Sequence, residues 1–412
     1  MSGKHSGGTE CAVGTRLQFF VGKGGAGKST LAAATAVVAA SDRRVLLVSL
    51  DQAHSTVDVL GSDGKPLPEN LEVLELDTLS LAEDRFRDLS SLLALGGTHV
   101  HGAQFASLEP EELLGVPGVE GLLGLLEITD RVHTQHYDLI VVDCPSTASS
   151  LRLLGTPAMV LDYIESVWPQ QQRMIAVAGT DPRLLVFVSL VERIVSSLGR
   201  VRDLLSDREV TSIRLVTTAE SVALIETRRA LAALALSQTN VDAVFVNNLF
   251  PQFDSTESVG PAQDWSTQRR ASQDAAVKEF EASAALVRTR SVTLCSDEPV
   301  GLADLGALAQ QMYGRDEDAA ALLDANVPPI RVGLESGAGL ESVYVMRVYL
   351  PLVDASTLTL GRVEDDLVVG AEGVRRRVRL ASVLRRCIVS GAELDARDLV
   401  VRFVPDPQVW PA

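Results

Sequence analysis

The stretch "FFVGKGGAGKSTLAAATAVVAA", Phe19 to Ala40, decides the fold class of this chain. An apolar run ends in glycines, and the glycines lead into a Lys-Ser-Thr step that opens an alanine-rich helical period. Gly22 to Ser29 therefore match G-x-x-x-x-G-K-[ST] between a strand and a helix, the setting the motif requires. Its glycines let backbone N–H groups close around phosphates, and the helix N-terminus adds a favourable dipole. Lys28 is expected to reach the β and γ phosphates and the Ser29 hydroxyl to ligate Mg²⁺. The candidate contacts for ATP are thus Gly22, Lys23, Gly24, Gly25, Ala26, Gly27, Lys28, Ser29 and Thr30. Lys23 is an extra cation, pointing away from its own phosphates if the loop wraps in the usual way. From there it can reach a neighbour's γ-phosphate and play the part of an arginine finger, which implies a homodimer with facing sites. The bland alternative is a solvated lysine beside a glycine.

Working outward, the chain alternates β-branched runs with longer helical periods from Arg16 to about Arg315, the pattern of βαβ units around a mostly parallel sheet. "RLQFFV", "RVLLVSLD", "YDLIVVD", "SIRLVTT", "DAVFVNN" and "RTRSVTL" are nearly continuous apolar runs, as strands covered on both faces should be. After them come an acidic helical piece, a Pro-Pro break and small residues, read as a linker over 316–338. "VYVMRVYLP", "TLTLGRVEDDLVVGA", "VRRRVRLA" and "LVVRF" then alternate polar and apolar positions, with turn signals at Asp354 and "VEDD". The expected division is a flexible tail over 1–14, an ATPase unit over 15–315, the linker, and a small antiparallel β-sandwich over 339–405. The fold class is α/β, a P-loop nucleotide-binding unit with a mostly parallel sheet flanked by helices, plus that sandwich.

The chain has 412 residues, of which 46% are hydrophobic and 22% charged, so about two or three folded domains are expected. A net charge of −17 repels phosphate backbones and anionic lipid, and no nucleic-acid partner is expected. The basic run "RRRVR", Arg375 to Arg379, reads as a solvated strand face. Cys11, Cys144, Cys295 and Cys387 have no short pair spacing, which indicates neither a disulfide framework nor a metal clip and fits a reducing cytoplasm. No apolar run is long enough to span a membrane.

Two carboxylates stand where this chemistry needs them. Asp51 in "VSLDQAHSTVDVLG" ends a strand at its carboxyl edge, placed to orient or deprotonate an attacking water and to share in holding Mg²⁺, or else to cap the next helix. Asp143 in "YDLIVVDCPSTASSLRLLGTP" closes another strand, placed to hold Mg²⁺ through water.

In order and spacing, "GKGGAGKST", "LDQAHSTVDVLG" and "DCPSTASSLRLLGTP" resemble the ArsA/GET family of dimeric ATPases. That family includes arsenite-pump subunits and the targeting ATPase for tail-anchored membrane proteins, and the resemblance runs from about Arg16 to Tyr313. It implies that Lys23 acts in trans, that Asp51 positions water, that His54 and Asp58 belong to switch I and that Asp143 and Arg152 belong to switch II. "FVNNLF" is similar to the family's adenine-contacting strand end and points to Asn247. Family members usually have Pro where Gln52 stands and Pro-Thr-Gly-His where Ser146 to Ser149 stand. The zinc-holding Cys-x-x-Cys of many members would fall near "GPAQDWSTQRR", which has no cysteine, so no zinc is expected. The tail resembles a small heat-shock, α-crystallin-like sandwich found in some members.

Between the switches, "LLVFVSLVERIVSSLGRVRDLL" puts Phe187, Val191, Ile194, Leu198, Val201 and Leu205 on one helical face. It is either packing or a groove for a client's apolar helix. With only five methionines in the chain, a pliable Met-rich lining is not expected. The expected function is a homodimeric ATPase that couples Mg-ATP hydrolysis to handling hydrophobic protein segments. The alternatives are the catalytic subunit of an arsenite or anion efflux pump, which would need clustered thiolates, and a ParA/MinD-like positioning ATPase, which would need a basic face or an amphipathic membrane helix.

Overall fold

The computed structural model describes residues 14–51, 55–61, 66–83, 118–178, 182–237, 239–252, 260–284, 287–314, 318–321, 330–350, 353, 355–371, 374–395 and 398–410. Its larger unit is built on strands β1 (Arg16–Gly22), β2 (Val45–Ser49), β3 (Leu71–Glu75), β4 (Leu139–Ser146), β5 (Thr211–Thr218), β6 (Val241–Leu249) and β7 (Arg288–Thr293). They form a 7-stranded sheet in the order β3-β2-β4-β1-β5-β6-β7, parallel at every step. The described helices are α1 (Lys28–Ala39), α2 (Ser55–Leu60), α3 (Val119–Thr134), α4 (Thr147–Val167), α5 (Gln170–Val177), α6 (Pro182–Ser206), α7 (Ser221–Leu236), α8 (Pro261–Ser283) and α9 (Leu302–Tyr313).

Successive residues of a strand face opposite sides of a sheet, and the core divides accordingly. Phe20, Leu47, Val141 and Phe245 pack with Leu31, Leu308 and Met312 on the α1/α9 side. Phe19, Leu46, Ile140 and Val142 pack with Leu125, Leu231 and Phe280 on the other. Burial on both faces is why these strands read as unbroken apolar runs. Two edge strands are exceptions: β7, expected to be covered on both faces, buries only Val292, and β3 is absent from the apolar runs above. It sits at the sheet edge, only Leu71 of "LEVLE" is buried, and its pattern is that of a half-wet strand.

The smaller unit contains β8 (Ile330–Ser336), β9 (Val343–Tyr349), β10 (Thr359–Val363), β11 (Asp366–Ala371), β12 (Val374–Arg379), β13 (Cys387–Asp395) and β14 (Asp398–Pro405). A 4-stranded sheet, β13-β14-β9-β8, packs on a 3-stranded one, β10-β11-β12, around Met346, Val348, Leu367, Val369, Val378, Leu399, Val401 and Phe403. Every strand pairing is antiparallel. The expected "VEDD" turn joins β10 to β11, with Val363 paired to Asp366 and Glu364 at φ 52°, as a tight hairpin loop requires. The basic run forms β12, with Arg375, Arg377 and Arg379 exposed and Val378 turned inward.

The linker expected over 316–338 needs correction at both ends. β8 lies inside it and pairs along β9. Its alternation was hidden because glycine and serine interrupt it and because six of its seven residues are exposed. At the other end, Ala319 and Ala320 are buried against the core of the larger unit. Gln18 Nε2 donates to both their carbonyls at 3.2 Å. Arg214 donates to the carbonyl oxygens of Ala319 (2.8 Å) and Ala321 (3.1 Å), while Arg43 pairs with Asp318. The two units also touch directly: Ala232 and Leu236 of α7 join the sandwich core, and Arg376 donates to the Leu236 carbonyl.

Candidate functional site

The loop between β1 and α1 takes its shape from close approaches only glycine permits. A Cβ on Gly22 would overlap the Val216 carbonyl of β5, and Gly27, at φ +92°, leaves no room for one beside the Asn247 amide. Gly27 precedes the first residue of α1, so the loop's backbone N–H groups converge at a helix N-terminus. Lys28 is buried there. Ser29 Oγ donates to Asp143 Oδ2 at 2.6 Å, which brings together the loop and the end of β4. Asp143 Oδ1 is buried with no hydrogen-bond partner among the described residues. Burial pushes the Asp143 carboxyl up to about 6, against the pull of the Ser29 hydrogen bond and of the Lys28 charge, while the charge of Asp51 adds to the rise. A buried carboxylate with an unspent oxygen, beside a hydroxyl and at the foot of a phosphate cradle, fits a divalent cation.

Asp51 belongs to the same end of the sheet. Ser49 of β2 lies opposite Asp143 in the β2–β4 register, and the Asp51 N–H donates to Ser49 Oγ at 3.2 Å. It stands four residues before Ser55, the first described residue of α2. Asp51 also lines a cavity of about 600 Å³ together with Leu76, Glu120, Arg152 and Met159. Arg152 is an exposed residue of α4 whose Nε donates to the Ala148 carbonyl at 3.3 Å, and Asp58 is exposed on α2. Gln52 and His54 lie outside the described residues.

Lys23 is turned away from the cradle. Its Nζ lies 3.5 Å from Glu226 of α7, both side chains about half exposed. Glu226 carries no signal in the sequence, since only the packing of α7 beside the loop brings the pair together. Asn247 sits at the end of β6 and spends its Nδ2 on the Ala26 carbonyl at 2.9 Å. It thereby braces the loop from the end of β6. A cavity of about 460 Å³ opens beside it, lined by Gly27, Thr30, Asn247, Thr293, Cys295 and Pro299. The segment after β7 was missed because its residues, "CSDEP", form no known motif. Cys144 follows Asp143 but is fully buried, and burial raises its thiol well above the ordinary range. It packs and does not react.

A glycine loop closing on a helix N-terminus, with a strand-end carboxylate bonded to the loop serine, defines a P-loop nucleotide hydrolase. The chain belongs to the anion-transporting ATPase family, whose model matches residues 15–314, and it carries the HSP20-like domain found in ArsA over residues 341–403. It is an ATPase of that family. Similar proteins include Protein Rv2184c of Mycobacterium tuberculosis, 42% identical over 96% of this chain and 97% of the relative. The Putative arsenical pump-driving ATPase 1 of Aquifex aeolicus is 28% identical over 94% of this chain and 99% of its own length. The ATPase GET3 of Ajellomyces dermatitidis is 28% identical over 58% of this chain and 75% of its own length.

Proposed function

We propose that this protein is a homodimeric Mg-ATP hydrolase that uses nucleotide to handle hydrophobic protein segments. The observation that carries the reading is an exposed apolar face made by α4, α5 and the start of α6. Met159, Tyr163, Val167, Met174, Ile175 and Phe187 all stand open to solvent on it. Large apolar side chains left exposed on three consecutive helices are a candidate interaction site. The face is also a built one. Arg173 of α5, itself buried, ties α4 and α6 together by pairing with Glu165 at 3.3 Å and Glu192 at 2.6 Å, and Trp168 stacks on Phe187 with ring centroids 5.6 Å apart.

The stripe expected on α6 divides in two. Leu198, Val201 and Leu205 are core, whereas Phe187 is 50% and Ile194 42% exposed. Methionine is scarce in the chain, yet Met159 and Met174 both fall on the exposed face, supplying the adaptable side chains that variable clients require. α4 begins at Thr147, directly after the strand that holds Asp143, and runs unbroken to Val167. One helix therefore joins the phosphate end of the site to the apolar face.

In this reading the backbone of Gly22–Ser29 and Lys28 hold the phosphates, Asp51 orients water, and Lys23 reaches the partner's site. Mg²⁺, held by Ser29 and through Asp143 and Asp51, would neutralise phosphate charge. A fluorescent apolar helix should bind the ATP-bound Asp51→Asn protein more tightly than the apo protein, because ATP can shift the face only by differential affinity for its two arrangements. Phe187→Ser and Ile194→Ser should each weaken that binding by about tenfold, the equivalent of losing a large apolar side chain from a contact, without changing ATPase rate or melting temperature. If these variants unfold, the face is core. If peptide binding ignores nucleotide, the client reading fails.

A metalloid-pump role would need soft ligands close together. The described cysteines are dispersed, with Cys144 buried beside Asp143, Cys295 at the cavity beside Asn247 and Cys387 in the sandwich. Among the described residues no cluster of three or more His, Cys, Asp or Glu side chains is placed to hold a metal. Purified protein should show Mg²⁺-dependent hydrolysis without stoichiometric zinc, and arsenite or antimonite should leave the rate unchanged. Stimulation by several-fold at micromolar metalloid would put the pump role first.

A further inference from the structure

We propose that β8 is a self-complementary edge through which the sandwich domains of two copies of this chain pair, antiparallel and centred on Gly333. Among the described residues β8 is hydrogen-bonded on one side only, to β9. Its other edge carries a row of backbone donors and acceptors able to template a further strand. Proteins blunt such edges with charged side chains, lysine above all, with proline and with bulges, and a net charge on the edge repels a second copy of itself. Between Ile330 and Ser336, "IRVGLES" has no lysine or proline, and its charges, Arg331 and Glu335, cancel.

The strand's inner face is also incomplete. Ile330, Val332 and Leu334 lie opposite Val348, Met346 and Tyr344 of β9 and so point to the same side of the sheet. Met346 and Val348 are buried, yet Val332 is 40% and Leu334 56% exposed. The facing sheet has three strands against four, and of the apolar residues of β8 only Ile330 packs against the sandwich core. Another strand beside β8 would extend the apolar floor that this shortfall leaves open.

What identifies the occupant as a second β8 is charge and register. A twofold axis through Gly333 sets Arg331 against the partner subunit's Glu335, and Glu335 against the partner subunit's Arg331. It sets Val332 against the partner subunit's Leu334 on the apolar face, and Gly333 against its own copy at the axis. Each oppositely charged pair occurs twice by symmetry, as an isologous interface requires. Arg331 and Glu335 already bond Asp398 (2.6 Å) and Arg402 (2.8 Å) of their own chain, which holds both on the outer face and extends each contact into a chain of alternating charges. Gly333 offers nothing to obstruct the approach, for a Cβ there would meet no atom within 4 Å. The irregularity in the β8–β9 register falls between Leu334 and Ser336, so the regular ladder runs from Ile330 to Leu334 and Glu335 stands at its margin, held by Arg402. A ladder this short is weak alone and gains when other contacts already hold two copies together.

The test is site-directed cross-linking of the full chain. Directly opposed residues of an antiparallel pair have Cβ atoms about 4.5–5.5 Å apart, near the span of a disulfide. Gly333→Cys should therefore form a disulfide-linked dimer under mild oxidation, above the background of the unsubstituted chain. Ser336→Cys should not, since six residues at ~3.3 Å each put its copy about 20 Å away. In the Gly333→Cys background, Arg331→Glu and Glu335→Arg should each cut cross-linking at least fivefold by setting like charges opposite one another. An equimolar mixture of the two should recover it in mixed dimers, a result that damage to the fold cannot produce. Self-pairing is overturned if Gly333→Cys links no faster than Ser336→Cys, if the mixture stays unlinked, or if β8 takes up an unrelated peptide strand while Gly333→Cys remains monomeric on the gel.

Discussion

Lys23→Ala should leave ATP binding within about twofold of the parent and remove turnover by roughly a thousandfold or more, the range for losing a cation that acts from across an interface. The asymmetry comes from placement. Lys28 is buried at the start of α1, and its charge is felt at Asp143. Lys28→Ala should therefore cost at least about a hundredfold in ATP affinity, as charge-assisted contacts disappear. Lys23 instead lies half exposed beside Glu226, so removing it takes nothing from its own cradle. An interaction made only in the transition state raises turnover without tightening ground-state binding. Mixing the two inactive variants gives the sharper test. In a mixed dimer the Lys23→Ala subunit keeps its own Lys28 and receives Lys23 from the other copy, so one competent site is rebuilt. Phosphate release should return on mixing. Wild-type turnover in Lys23→Ala, or two variants that stay inactive together, would show that Lys23 does not act in trans.

Asp51→Asn should bind ATP normally, lose about two to four orders of magnitude in hydrolysis, and accumulate as the ATP-bound closed dimer. The carboxylate stands at the carboxyl end of β2, two residues beyond the position paired with Asp143, close enough for its charge to be felt there. The close approaches and hydrogen bonds that shape the phosphate cradle run through Gly22, Gly27, Ser29 and Asn247. The substitution keeps the side chain's shape and removes its capacity to take a proton. Single-turnover phosphate release and size-exclusion chromatography with ATP would measure both effects. An unchanged rate would reduce Asp51 to a local support of the loop before α2.

The nucleotide end was legible because its chemistry is local. A strand, a glycine loop, a lysine-serine step and two strand-end carboxylates each occupy a few consecutive residues, and the sheet topology brings their ends to one edge. The strands buried on both faces announced themselves by unbroken apolar runs. β3 and β8 did not, since an edge strand with one wet face, or two, looks like any polar loop containing a few aliphatics. The Lys23–Glu226 pair and the contact of Gly22 with Val216 depend on strand order, which no short window of sequence contains. The α6 stripe had the right period, but period alone does not say where a helix leaves the core. Val188 is buried beside exposed Phe187, and the face carrying Phe187 and Ile194 turns inward only by Leu198.

The tie between residues 318–321 and the sheet bears on how such a chain could have been assembled in evolution. Gln18 lies on β1 and Arg214 on β5, both buried, and both find acceptors in carbonyls of this short segment. An ancestral ATPase ending at Gly314 would have left Gln18 Nε2 without these acceptors and Arg214 with only Asp242 and the Tyr313 hydroxyl, at a cost of about 1–3 kcal/mol for each unsatisfied group. The seam at which a sandwich domain could be gained, lost or exchanged therefore lies after Ala321, and the residues before it are inherited with the catalytic unit.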